Sequence, residues 1–146
     1  MSKNRSISST SSLHILVAED NDLNRKVTLA MLERLGHRAD IAVDGIEVLH
    51  ALEHQQYDLI LMNICMPLMD GIEATMEIRR RYHNGPRIIA VTAYTFPGMR
   101  EKCLEAGMNA YIIKPVMVND LEVVLSNYQR SSRYTKVRPR SNPRSV

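Results

Sequence analysis

Five polar side chains interrupt apolar runs in this chain: Glu19 and Asp20 after HILVA, Asn63 after LILM, Thr92 after IIAV and Lys114 after AYII. Two adjacent carboxylates with no cation beside them in sequence repel one another, and a divalent ion with oxygen ligands such as Mg²⁺ relieves that cost. A lysine ammonium can hold the equatorial oxygens of a transferring phosphoryl group, and a threonine hydroxyl can donate to another. Asn63 is the odd member. Its amide is neutral and its oxygen is a poor nucleophile, so it cannot attack phosphorus as a carboxylate does. Taken singly, each residue also has a plainer reading. Glu19–Asp20 suits the start of a helix, Thr92 suits a strand end, and Lys114 suits a solvated loop.

These side chains act together only if the chain brings the ends of those runs side by side. From His14 to Tyr128, strand-like and helix-like patterns alternate five times. His14–Ala18 reads as a strand, and Asp22–Leu35 as a helix with Leu23, Val27, Ala30, Met31 and Leu35 at helical spacing, stopped by Gly36. Arg38–Val43 is a short strand with an Asp44–Gly45 turn, and Ile46–Leu52 a helix through Ile46, Leu49 and Leu52. Tyr57–Met62 is the central strand, and the unbroken apolar run Leu59–Met62 predicts burial on both faces. Asp70–Gly71 opens a helix to Tyr82 with Ile72, Met76 and Ile78 inward, and Arg87–Val91 is the fourth strand. Pro97–Ala106 fits a helix capped by Gly107, Ala110–Ile113 a fifth strand, and Val118–Tyr128 a last helix. This pattern predicts an α/β fold: a doubly wound, five-stranded parallel sheet in the order 2-1-3-4-5, with helices on both faces. That order sets the first and third strands side by side, and all five polar residues at one carboxyl-terminal edge.

The string LILMNICMPLMDG at 59–71 resembles the phosphoacceptor segment of response-regulator receiver domains, where the position of Asn63 is an aspartate. AEDN at 18–21, VTA at 91–93 and KP at 114–115 agree with the same family, and Tyr111 matches its switch aromatic, three residues before the lysine. The resemblance covers residues 13–128 and implies the flavodoxin-like sheet order. It also implies a Mg²⁺ site from Glu19, Asp20, Asn63 and the Cys65 carbonyl, with Thr92, Ala93, Tyr111, Lys114 and Pro115 as phosphate pocket and switch. A cis Lys114–Pro115 bond is implied as well. The family works in phosphorelays as a docking module and not as an enzyme. Its partners are a histidine kinase, a phosphotransfer protein or an output domain. With an amide at 63, acyl-phosphate formation should fail and Mg²⁺ should bind more weakly. The strings look most like receivers attached to hybrid kinases or working alone.

Composition bounds these readings. Hydrophobic residues at 45% and charged residues at 24% are ordinary for a soluble domain. No apolar run approaches the ~20 residues that span a bilayer, so no membrane insertion is expected. The segment MSKNRSISSTSS lacks the apolar core of a secretory signal. Two cysteines, Cys65 and Cys103, give no disulfide framework and fit a reducing cytoplasm. Net charge is +3, yet residues 13–128 hold eleven basic against sixteen acidic side chains, a net of −5. The basic excess lies in the tails, 1–12 and 129–146, both expected to be disordered. The C-terminal tail could meet nucleic acid through phosphate contacts, which the domain itself is not expected to do. An alternative of another class is a Mg²⁺-dependent phosphatase-like enzyme using the string Asp20-Asn21-Asp22. His50 and His54 share a helical face without the further ligands of a zinc site. Met62, Met66 and Met69 read as packing.

Overall fold

A computed structural model describes residues 13–93, 96–128 and 135–137. Its elements run β1 His14–Ala18, α1 Asp22–Arg34, β2 Arg38–Ala42, α2 Gly45–His54, β3 Leu59–Asn63 and α3 Gly71–Arg81. There follow β4 Tyr82–His83, β5 Arg87–Thr92, α4 Met99–Ala106, β6 Ala110–Ile113, α5 Val118–Ser126 and β7 Thr135–Lys136. The five long strands are parallel in the order β2-β1-β3-β5-β6, which is the expected 2-1-3-4-5 once the two-residue β4 is set aside. No helix among the described residues is long and apolar enough to cross a membrane.

Both faces of the sheet are covered, and the burial of β3 along its whole length follows from that. On one face Val48, Leu49 and Leu52 of α2, Ala74 and Ile78 of α3, and Met99 and Cys103 of α4 pack over Leu16, Ile60, Met62 and Ile88. On the other, Leu32 of α1 and Leu121 and Val124 of α5 pack over Ile15, Val17, Leu61 and Ile89. Helix starts are fixed by side chains the sequence places there. Asn21 accepts from the Asn24 N–H at 2.8 Å, Asp44 from Glu47 at 2.8 Å, and Asp70 from Glu73 at 2.8 Å. Glu73 returns the bond to the Asp70 N–H at 3.1 Å, completing a capping box. Gly107 ends α4 in the left-handed region at φ 114°. Beside it the Arg79 guanidinium bonds the Gly107 carbonyl at 2.9 Å and Asn109 Oδ1 at 3.0 Å, tying α3 to the turn before β6.

Several expectations shift. In α1 the buried positions are Thr28 and Leu32, while Leu23 and Val27 face solvent. Apolar residues surround that helix, so spacing alone does not fix its phase. Ile46 and Met76 are likewise exposed, because Val48 with Leu49 and Ala74 with Thr75 form the buried faces of α2 and α3. The helix expected over 97–106 begins only at Met99, after Gly98 in a left-handed conformation. Within the tail expected to lack structure, Thr135–Lys136 pairs antiparallel with Tyr82–His83. The exposed edge of β4 offers unpaired backbone groups that a strand can satisfy. The expectations for 1–12, 129–134 and 138–146 fall outside the described residues.

Gly71 makes the approach that brings the 64–70 loop back over β3. Its N–H bonds the Ile64 carbonyl at 2.8 Å. A Cβ there would press into the Asn63 carbonyl oxygen and lie 2.9 Å from Met62 Cγ. Gly71→Ala should therefore cost about 2–3 kcal/mol in urea melts, the range of a backbone-level overpacking. A loss below about 0.5 kcal/mol would mean that the close approach is not needed.

Candidate functional site

Register decides which residues meet. Ala18 pairs with Met62, so Glu19 comes level with Asn63; Asn63 pairs with Val91, so Thr92 follows one step on. Thr92 pairs with Ile113, and the Lys114 N–H donates to the Thr92 carbonyl at 2.9 Å. The four strand ends thus deliver Glu19, Asp20, Asn63, Thr92 and Lys114 to one edge, as the alternating pattern predicts.

At its centre is the Asn63 side chain, 6% exposed. Its Nδ2 donates towards Glu19 Oε2 at 3.2 Å, Asp20 Oδ1 at 3.1 Å and the Cys65 carbonyl at 2.9 Å. All three partners are acceptors, so the nitrogen and not the oxygen of the amide faces them. Glu19 is buried, and its other carboxylate oxygen pairs with Lys114 Nζ at 2.9 Å. Oε2 also accepts from the Asn21 N–H at 3.0 Å, while Arg25 reaches the Glu19 carbonyl at 3.0 Å. Asp20 remains exposed at the mouth. Thr92 is buried and Ala93 exposed at the end of β5. Tyr111 lies half-buried against the core beneath α4, where burial pushes its phenol pKa up. The Lys114–Pro115 bond is cis.

Of the candidate site residues, all but Tyr111, Ala93 and Pro115 belong to this strand-end cluster, and those three flank it just after β5, on β6 and in the turn after β6. The Cys65 thiol itself points to solvent; only its carbonyl takes part. Sequence reasoning missed the Glu19–Lys114 ion pair and the two contributions from the start of α1, Asn21 and Arg25. In sequence, Asn21 stands only within the strings AEDN and Asp20-Asn21-Asp22, and neither shows that its N–H serves Glu19. Asp22, part of the Asp20-Asn21-Asp22 string, is engaged by Arg25 at 2.7 Å and Lys26 at 3.2 Å on its own helix. Among the described residues no three His, Cys, Asp or Glu side chains gather as a metal cluster. The amide at 63 leaves Glu19 and Asp20 as a pair.

The model of the response regulator receiver domain matches residues 15–126. The chain belongs to the response-regulator receiver family. Among curated relatives, hybrid signal transduction histidine kinase G of Dictyostelium discoideum is 38% identical over 85% of this chain, and sensor protein EvgS of Escherichia coli 39% identical over 78%. The chain spans only 4% of the length of the first and 9% of the second. The receiver domain of sensor histidine kinase PA1611 from Pseudomonas aeruginosa matches with TM-score 0.73 at 42% identity, covering 80% of this chain and 97% of that one. That structure has a magnesium ion coordinated in its active site cleft. A CheY-like receiver from Methylobacillus flagellatus shares the fold at TM-score 0.72 and 23% identity, over 82% of this chain and all of that one.

An aspartate at 63 would set a third negative charge against Glu19 and Asp20 and replace the amide's donors with acceptors. Asn63→Asp should lose ~1–3 kcal/mol in metal-free denaturant melts at neutral pH. Millimolar Mg²⁺ should narrow that gap by binding the more anionic folded state. Equal stability without metal would show that position 63 does not share the charge environment of Glu19 and Asp20.

Proposed function

We propose that this chain is a phosphorelay receiver module whose acceptor position is closed to phosphorylation, and that it acts by docking in a reducing, cytoplasmic compartment. One observation carries the reading: the side chain at the strand-end position of a receiver is an amide, and its nitrogen is turned towards the neighbouring carboxylates. Acyl-phosphate formation needs an anionic, strongly nucleophilic carboxylate oxygen, whereas the Asn63 amide is neutral and its oxygen a poor nucleophile. Thr92 and Lys114 remain as phosphate-facing residue types, but without the acceptor they have no covalent product to hold.

The donor chemistry fits magnesium. Glu19, Asp20 and the Cys65 carbonyl are hard oxygen donors, and Asn63 can add its own oxygen if the amide rotates. Bound there, Mg²⁺ would neutralise charge on a phosphoryl group. With one carboxylate fewer, the affinity is lower than in an aspartate form.

For docking, the surface formed by α4, β6 and α5 carries exposed apolar side chains: Leu104, Ile113, Met117 and Val123. Singly exposed apolar residues are ordinary, but four on these adjoining elements support a contact surface there. The partner is a histidine kinase, a phosphotransfer protein or an output domain, the classes to which hybrid-kinase relatives point.

Incubation with a small acyl-phosphate donor and Mg²⁺, followed by intact mass, tests the reading. The native chain should gain nothing, while Asn63→Asp should gain the ~80 Da of a phosphoryl group in a base-labile form. A base-labile adduct on the native chain, or none on a folded Asn63→Asp, would overturn it.

A further inference from the structure

We infer that the Asn63 amide nitrogen is this pocket's built-in substitute for a divalent cation, bridging the oxygens a metal would bridge and competing with Mg²⁺ for them. The inference rests on the receiver reading for the identity of the competing ion.

The amide nitrogen carries two hydrogens and no acceptor capacity, so it presents only its positive end. It faces oxygens from two separate segments: Glu19 and Asp20 after β1, and the Cys65 carbonyl in the loop after β3. A cation gathering those oxygens would need the space that Nδ2 occupies. The remaining demand is met nearby, because Glu19 Oε1 takes the Lys114 ammonium and Oε2 the Asn21 N–H. Three donor groups, two neutral and one charged, thus do without metal what a divalent ion does with it. For Mg²⁺ to enter, the amide must rotate and surrender its contacts to all three oxygens, and Glu19 must divide its charge between the ion and Lys114.

Loss of a negative charge alone has a different signature. Were charge relief the whole effect, any neutral side chain at 63 would serve as well as asparagine. The bridge requires the donor. A further consequence concerns the docking surface, which begins at β6 immediately before Lys114. With the Glu19–Lys114 pair and the amide bridge both in place without metal, a partner meets one constant surface whether or not Mg²⁺ is present.

The test compares the native chain, Asn63→Ala and Asn63→Asp, each by thermal melting in chelator and in millimolar Mg²⁺, and by calorimetric titration with Mg²⁺ alone. The native midpoint should be the same in both buffers. Asn63→Ala should melt lower in chelator and recover with Mg²⁺, and should bind Mg²⁺ roughly tenfold more tightly than the native chain. If Asn63→Ala matches the native chain in both melting and Mg²⁺ affinity, the bridge is not what holds the pocket. Should Asn63→Ala not fold, Asn63→Val, likewise neutral and without a donor, takes its place: Mg²⁺ affinity and melting equal to those of the native chain overturn the proposal, and tighter Mg²⁺ binding with a lower midpoint in chelator upholds it. Phosphorylation of Asn63→Asp reports separately on the receiver reading, so either idea can fail while the other stands.

Discussion

Two carboxylates that leave a parallel sheet side by side must face something positive, and the arrangement of this edge follows from how that demand is met. Glu19 is buried, so its charge is poorly screened and cannot be left unpaired. Its partners come from three places: the Lys114 ammonium beyond β6, the Asn63 amide at the end of β3, and the Asn21 N–H at the start of α1. Each lies at the end of a different strand or the beginning of a helix. The electrostatic requirement therefore also pins the relative heights of β1, β3 and β6.

The fold supplies this arrangement through backbone devices that do no chemistry themselves. Ile64 donates to the Val91 carbonyl at 3.2 Å, and Gly45 to the Met69 carbonyl at 2.9 Å, so the loop after β3 is held at both ends. The Asp70–Glu73 box starts α3 directly behind that loop. On the far side, Lys114 is tied to β5 through the Thr92 carbonyl, which joins the pocket to the strand bearing the exposed Ile113. Glu19 is thus one ion pair away from Lys114, the residue that follows the exposed Ile113 of β6.

Much of this was legible in the sequence, for physical reasons that differ by level. Apolar runs without alternation identify strands buried on both faces, and the polar residue ending each run marks the sheet edge; β6 was placed to the residue. Helix existence was equally clear, but helix phase was not. Leu23, Val27 and Met76 look inward by spacing and face solvent, because Thr28, Ala74 and Thr75, small or polar in type, pack closest to the sheet. The β4–β7 ladder pairs short segments more than fifty residues apart and leaves no local pattern to read. At the site, residue types announced a polar strand-end cluster, yet no pattern of types could announce which atom of Asn63 faces inward. That depends on where the Glu19, Asp20 and Cys65 oxygens lie around the amide, a geometry that residue types do not display.

The side-chain NH₂ of Asn63 is itself observable, and its two protons give the most direct reading of the central claim. In ¹⁵N-resolved spectra of the native chain in chelator, the account predicts an Asn63 NH₂ pair that exchanges slowly with water and keeps its shifts when millimolar Mg²⁺ is added. Fast exchange in chelator, or shifts that move with Mg²⁺ to a saturating plateau, would show that the amide does not bridge Glu19, Asp20 and Cys65.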